Sequence, residues 1–126
     1  MKKARVIAVI IFFVFSSAWF IQAAVLSASQ KAIESKSAQK GLQKAKELFS
    51  KHCARCHGED GKAETQEGLD LGATDLTSER VKKMSRAKII STIKEGKGAM
   101  PSFGKELSKS EISLLADYVQ KISKGE

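Results

Sequence analysis

The run Cys53-Ala54-Arg55-Cys56-His57 holds the only two cysteines of this 126-residue chain and one of its two histidines. A C-x-x-C-H pattern is the attachment signature of a c-type haem. Two thiols at this spacing can add to the two vinyl groups on one edge of a porphyrin, and the histidine that follows then lies under the ring, where it can bind iron. The pattern therefore predicts one haem c, bound through two thioethers at Cys53 and Cys56, with His57 as an iron ligand.

Three other uses of the same residues fit less well. A redox C-x-x-C pair is typical of a βαβ context, and the sequence shows no alternation of strands and helices. A structural zinc site needs four ligands, and the sequence neighbours His52 and Cys53 cannot easily converge with Cys56 and His57 on one tetrahedron. A disulfide would leave His57 unexplained. Only the haem interpretation uses every residue of the motif.

The N-terminus has the pattern of an export signal. Lys2, Lys3 and Arg5 precede an apolar run from Val6 to Ile21, as in a secretory signal peptide. The apolar stretch also extends to Leu26, which is long enough for an uncleaved membrane anchor, so both interpretations stay open. We expect residues 1–23 to be a signal peptide or an N-terminal anchor, residues 24–40 a tail or linker, and residues 41–126 the haem domain.

The charge distribution bears on compartment and partners. The N-terminal basic cluster stays cytoplasmic, which places the haem domain in the bacterial periplasm or on the outer face of the cytoplasmic membrane. The formal net charge is +8, and about +5 without Lys2, Lys3 and Arg5. A basic surface can steer an acidic partner, whereas a nucleic-acid surface would interleave aromatic side chains. We expect a monomer with acidic redox protein partners, no nucleic acid, and membrane association only through the N-terminal apolar segment.

Three helical patterns predict a mostly α domain with substantial loops and no strand of useful length. The first runs from about Ser37 to Lys51, with Leu42, Ala45, Leu48 and Phe49 on its apolar face. The second begins at the N-cap Ser85 and ends at Gly96, with a buried stripe of Ile89, Ile90 and Ile93. The third begins with a Ser108–Glu111 capping box and buries Ile112, Leu115, Val119 and Ile122. A short helical turn is also expected between Thr77 and Met84.

Met100 is the candidate for the second axial ligand of the iron. His52 directly precedes the attachment motif and cannot readily reach the far face of the porphyrin. Met84 lies on the short helical pattern, where a methionine is usually a core residue. Met100 instead lies in a glycine-flanked loop beside Pro101, the only proline of the chain, which restricts Met100 to extended geometry. We therefore predict His57 and Met100 as the two iron ligands.

In combination, these motifs resemble the class I c-type cytochromes, specifically the small bacterial single-haem members, over about residues 42–122. The resemblance rests on motifs in a fixed order: Leu48-Phe49, Cys-x-x-Cys-His-Gly at 53–58 with Asp60-Gly61, Asp75-Leu76, Ile93-x-x-Gly96, Met100-Pro101-x-Phe103, and Leu115 with Tyr118. It implies a cytochrome c fold of three main helices and loops around one covalently bound haem. The first and last helices would cross near one haem edge, with Phe49 and Tyr118 at the crossing.

The same resemblance assigns thioether attachment to Cys53 and Cys56, the proximal ligand to His57 and the distal ligand to Met100. The chain departs from the family pattern at two positions. Ala45 stands where many relatives have a glycine, so the helix crossing should be slightly wider. Thr74 stands where many relatives have a proline, so a backbone carbonyl between Gly68 and Thr74 should accept the hydrogen bond of the proximal histidine.

Two fixed axial ligands leave no open position for a substrate, which favours a one-electron carrier over an enzyme. We expect the protein to shuttle electrons between respiratory or photosynthetic redox partners, docking through the haem edge and nearby lysines: Lys62, Lys94, Lys97 and Lys105. Two alternatives stay open. One is an electron-entry haem subunit of a larger oxidase, dehydrogenase or reductase complex, and the other is a haem sensor or peroxidase with a labile sixth site.

Overall fold

A computed structural model describes residues 30–125 of the chain. The chain divides into two compact units, 1–39 and 40–126. The described part of the first unit, residues 30–39, is helical and exposed. The predicted signal peptide or anchor, residues 1–23, lies outside the described residues. Between residues 30 and 125, no helix combines the length and the apolar character needed to cross a membrane.

The second unit is built from helices joined by loops. Residues 30–52 are helical, and the part in the second unit, residues 40–52, is called α1. Five helices follow: α2 (Ala54–His57), α3 (Gln66–Leu71), α4 (Glu79–Lys82), α5 (Arg86–Glu95) and α6 (Lys109–Lys124). No β-strand occurs among the described residues, although an isolated antiparallel bridge joins Lys97 to Met100. The prediction of a mostly α domain is therefore confirmed.

Helices α5 and α6 begin and end at the predicted residues because their capping groups form. The Ser85 hydroxyl accepts the Lys88 N–H at the start of α5, and Gly96, with φ of 78°, follows its last residue. At the start of α6, the Ser108 hydroxyl accepts the Glu111 N–H, and the Glu111 carboxylate accepts the Ser108 N–H in return. These contacts satisfy backbone groups that a helix end otherwise leaves without partners.

Several details differ from the sequence prediction. Ile90 and Ile122, predicted to lie in the buried stripes of α5 and α6, are only partly buried. Helical structure is already present at residue 30, before the predicted start at Ser37. Leu42, predicted to face the core, is 41% exposed, so the buried face of α1 begins at Ala45. Helix α3 was not predicted, because its only buried residue is Gly68 and it therefore lacks an apolar stripe.

The core packs α1, α5 and α6 against the loops that connect them. Phe49 and Leu115 are its largest fully buried side chains. Phe49 meets Tyr118 edge-on, with ring centroids 5.2 Å apart and an interplanar angle of 65°, as expected for the predicted aromatic pair. Arg86 at the start of α5 binds Asp117 of α6 through two hydrogen bonds, of 2.5 and 3.0 Å. These contacts hold the three longer helices around a central cavity.

Candidate functional site

A single cavity brings together every residue that the sequence assigned to the cofactor. It spans about 1210 Å³, a volume that includes open solvent at its mouth, and Cys53, Cys56, His57 and Met100 all line it. Much of the remaining wall is apolar and comes from buried core residues, which include Leu76, Val81, Ile89, Ile93, Leu115 and Val119. Large, mostly apolar clefts with a few convergent polar groups are typical of cofactor sites.

The segment Cys53–His57, called the attachment run, continues directly from α1. The Cys53 N–H donates to the Phe49 carbonyl at 2.8 Å, so the last turn of α1 delivers the first cysteine. Helix α2 then adds one turn, which ends at Gly58 with φ of 74°. Thr65 fixes this turn from the other side, because its hydroxyl shares its one hydrogen between the Arg55 and Cys56 carbonyls, at 2.8 and 3.0 Å. Both cysteines and His57 are thereby held on one wall of the cavity.

Partial burial suppresses thiolate chemistry at Cys53. Desolvation, together with a smaller contribution from the neighbouring Cys56, raises the pKa of the Cys53 thiol to about 12. A reactive redox cysteine instead has a lowered pKa, because the thiolate is the nucleophile. This environment argues against a dithiol redox centre.

A backbone carbonyl orients the ring of His57. The Nδ1 atom of His57 lies 2.9 Å from the Thr74 carbonyl oxygen. When Nδ1 carries the proton and donates it to this carbonyl, Nε2 has the free lone pair that a metal requires. The carbonyl predicted to lie between Gly68 and Thr74 is thus that of Thr74. Arg80, which also lines the cavity, donates from Nη2 to the Thr74 hydroxyl at 3.0 Å.

Met100 lies in a tightly built loop after α5. Its backbone pairs with Lys97 in both directions, at 3.0 and 3.1 Å. A Cβ atom added to Gly96 would lie 2.6 Å from the Met100 carbonyl oxygen, so only glycine fits there. Phe103, three residues further on, is buried in the core. The loop therefore presents Met100 at a defined place in the cavity wall.

Met84 and His52, neither of which is predicted as an iron ligand, also line this cavity. Met84 is half-buried and packs against the core, as a core methionine would. His52 has a side chain only 10% exposed, with Nδ1 3.4 Å from the Glu106 carboxylate. The His52 ring meets Phe103 edge-on at 5.8 Å. The cavity thus contains a second methionine and a second histidine, and any test of Met100 must include both.

The rim of the cavity is basic. Arg80, Lys88 and Lys97 line it and are exposed. Of the four lysines proposed from sequence for docking, only Lys97 lines the cavity, whereas Lys62, Lys94 and Lys105 do not. Lys88 was missed because helical periodicity identifies the buried face of α5 but does not reveal which exposed residue borders the cavity.

The residues present fit an iron porphyrin. The wall provides two cysteines at thioether spacing, an imidazole whose second nitrogen is engaged by a carbonyl, and a thioether from a fixed loop. Imidazole and thioether are established axial ligands of haem iron. The apolar side chains around them would exclude water from the porphyrin faces.

Comparison with known proteins places these features in a family. A family model described as cytochrome c oxidase, cbb3-type, subunit III, matches residues 40–119. The chain is 38% identical over 85 residues to cytochrome c6 of Cyanidium caldarium, covering 67% of this chain and 74% of that protein. It is also 31% identical over 103 residues to the cbb3-type cytochrome c oxidase subunit CcoP of Azospirillum brasilense, covering 80% of this chain.

The match covers only part of the oxidase subunit, because this chain spans 34% of the length of CcoP. The fold has a counterpart of known structure, the KustC0563 c-type cytochrome. That structure aligns with a TM-score of 0.58 and 32% identity, over 62% of this chain and 95% of the other. The predicted cytochrome c fold is therefore confirmed.

Proposed function

This chain belongs to the class I c-type cytochromes, and from that membership we propose that it carries single electrons between redox proteins. Members of this family bind haem c covalently. The observation that carries the proposal is the convergence of Cys53, Cys56, His57 and Met100 on one largely apolar cavity. When bound, the haem supplies a one-electron ferric/ferrous couple.

We assign thioether attachment to Cys53 and Cys56 and axial ligation to His57 and Met100. The hydrogen bond to the Thr74 carbonyl holds the His57 ring and raises its basicity as a ligand. A soft thioether such as that of Met100 favours ferrous iron and raises the reduction potential. Because both axial positions are then filled, the site is suited to electron transfer and has no vacancy for a substrate.

The remaining elements of the proposal concern place and partner. The N-terminal export pattern supports a periplasmic or outer-face location, since it precedes a haem attachment motif. The basic rim formed by Arg80, Lys88 and Lys97 supports docking of redox proteins through acidic surfaces. We propose that the electron enters and leaves at this rim, where the cavity opens.

A second candidate function is supported by the family model and by the CcoP relative. Here the chain would be a haem subunit, or part of one, that feeds electrons into a cbb3-type oxidase. The relative supports this role only over the third of its length that this chain matches. Co-purification of the tagged full chain with an oxidase complex from its native membrane would favour this candidate, whereas recovery of the haem protein alone would favour the free carrier.

The ligand assignment is tested by optical spectra of the full chain matured with haem. We expect an oxidised-minus-reduced spectrum typical of haem c, and in the ferric protein a weak band at about 695 nm that reports Met–Fe(III) ligation. Met100→Ala should abolish this band and allow the ferrous protein to bind carbon monoxide. Met84→Ala and His52→Gln are the matched controls, because both residues line the same cavity.

Each contrary outcome points to a different error. Loss of the band in Met84→Ala, with retention in Met100→Ala, would transfer the ligand role to Met84. Carbon monoxide binding by the unmodified ferrous protein at neutral pH would indicate a labile sixth site, and would favour a sensor or peroxidase over a carrier.

A further inference from the structure

The last carbonyls of α5 hold the loop that carries Met100. The final four carbonyls of a helix have no partner within the helix and require donors from elsewhere. Here the Phe103 N–H donates to the Ile93 carbonyl at 3.1 Å, and the Gly104 N–H donates to the Lys94 carbonyl at 3.0 Å. The chain beyond Met100 therefore caps α5, and the capping bonds fix the loop at the same time.

Ser102 adds a third bond to this attachment. Its hydroxyl donates to the Lys94 carbonyl at 2.7 Å, although the residue itself is exposed. Among the described residues, it is the only member of the 96–104 loop whose side chain makes a hydrogen bond to the rest of the fold. A substitution can remove this bond without altering the backbone.

Movement at Ser102 is transmitted to Met100 because the segment between them is stiff. Pro101 links the two residues and fixes its own φ. The paired hydrogen bonds between Lys97 and Met100 close the other side of the loop. Gly96 packs against the Met100 carbonyl, where a Cβ atom would lie at 2.6 Å. These contacts therefore couple the position of Met100 to that of Ser102.

From this geometry we propose that Ser102 is a positioning residue that latches the Met100 loop onto the end of α5. It acts through the loop and does not itself line the cavity. Its consequence is to set how readily another ligand displaces the Met100 thioether. The inference rests on the proposed function, since it presupposes that Met100 binds the iron.

The test measures displacement of Met100 by added imidazole in the ferric full-length protein, followed through the Met–Fe(III) band. Ser102→Ala should lower the imidazole concentration at half-displacement by about fivefold, the effect expected from losing one neutral hydrogen bond. Ser102→Thr keeps the hydroxyl and should retain the wild-type midpoint. Ser91→Ala is the matched control, because the Ser91 hydroxyl donates to the Lys88 carbonyl of the same helix, away from the loop.

The outcomes separate this inference from the ligand assignment. If the wild-type protein lacks the Met–Fe(III) band, the proposed ligation itself is wrong. If the band is present but Ser102→Ala and Ser91→Ala shift the imidazole concentration at half-displacement equally, the ligation stands and only the positioning role of Ser102 is wrong. Hydrogen exchange of the Phe103 and Gly104 amides in the ferrous protein gives a second readout. Exchange should become faster in Ser102→Ala alone, and unchanged protection would overturn the inference.

Discussion

At the scale of single residues, Gly68 determines how closely α3 approaches the attachment run. A Cβ atom at this position would lie 2.2 Å from the Cys56 carbonyl oxygen and 2.8 Å from that of Ala63. Both atoms belong to the backbone, so neither can turn aside. The absence of a side chain at Gly68 therefore allows α3 to support the turn that holds Cys56 and His57.

We expect Gly68→Ala to destabilise the protein by about 1–3 kcal/mol, the usual cost of overpacking a rigid site. The matched control is Gly41→Ala in α1, where the new Cβ would lie at an ordinary 3.5 Å from Leu114. That substitution should be neutral or slightly stabilising, since alanine favours helix. Urea unfolding of the haem-loaded variants measures both effects, and equal stability of the two variants would contradict this account of Gly68.

Individual site residues were predictable from sequence where their chemistry is local. The spacing of Cys53, Cys56 and His57 indicates the attachment motif, and the composition around Pro101 indicates the loop that contains Met100. The structure brings the residues of both to one cavity. The carbonyl that accepts the hydrogen bond of His57 could be predicted only as one between Gly68 and Thr74, because any backbone carbonyl can accept a hydrogen bond. The role of Gly68 was missed because a close approach across the fold leaves no pattern in the local sequence.

At the scale of helices and loops, the N-terminus of α6 depends on its capping box. Hydrogen bonds from the Ser108 backbone N–H and hydroxyl lower the pKa of the Glu111 carboxyl below its ordinary value of 4.5. A carboxyl with a lowered folded-state pKa stabilises the fold above its unfolded pKa, and this contribution is lost as the pH falls through the folded value. The stabilisation by Glu111 should therefore be complete at neutral pH and disappear in acid.

Glu111→Gln should accordingly lower the free energy of unfolding at pH 7, with a difference from wild type that shrinks in acid and vanishes once the pH lies below the lowered folded-state pKa of Glu111. Ser108→Ala removes the other half of the box and should cost about 1 kcal/mol. Ser110→Ala, an exposed serine in the first turn of the same helix, is the control and should have little effect. Denaturant titrations across this pH range provide the measurement, and a difference that persists unchanged into acid would refute the pKa argument.

The success of helix prediction followed the strength of these same local signals. Helices α5 and α6 combine a capping serine with an apolar stripe, and both begin at the expected residues. Helix α3 has capping residues, Thr65 and Gly72, but exposes both of its leucines. It is held instead by contacts with α2, including the ion pair between Arg55 and Glu67. Such contacts are tertiary, so sequence periodicity could not reveal them.

At the scale of the whole molecule, the opening of the cavity and the positive charge coincide. The chain has a formal net charge of +8, but net charge alone does not say where a partner binds. The structure places Lys88 and Lys97 in the cavity lining, whereas Lys62 and Lys105 do not line it. Local charge at the rim should guide an anionic partner, whereas lysines outside the cavity lining should contribute mainly to the long-range field.

This difference can be measured with small redox reagents of opposite charge. In the reduced protein, the paired change Lys88→Glu/Lys97→Glu should slow oxidation by ferricyanide, an anion, several-fold at low salt. It should accelerate oxidation by a cationic ruthenium complex. The control Lys62→Glu/Lys105→Glu alters net charge by the same amount and should change both rates much less.

Salt provides the final discrimination. The Debye length falls from about 30 Å at 0.01 M to about 8 Å at 0.15 M ionic strength, so the effect of the rim pair should shrink steadily over this range. If both pairs alter the two rates equally, electron transfer senses only the overall charge, and the rim is not the place where partners approach. We expect the rim pair to change both oxidation rates much more than the control pair, slowing the reaction with ferricyanide and accelerating that with the cationic complex. Electrons then pass where Lys88 and Lys97 border the cavity. An acidic protein partner should dock at the same place.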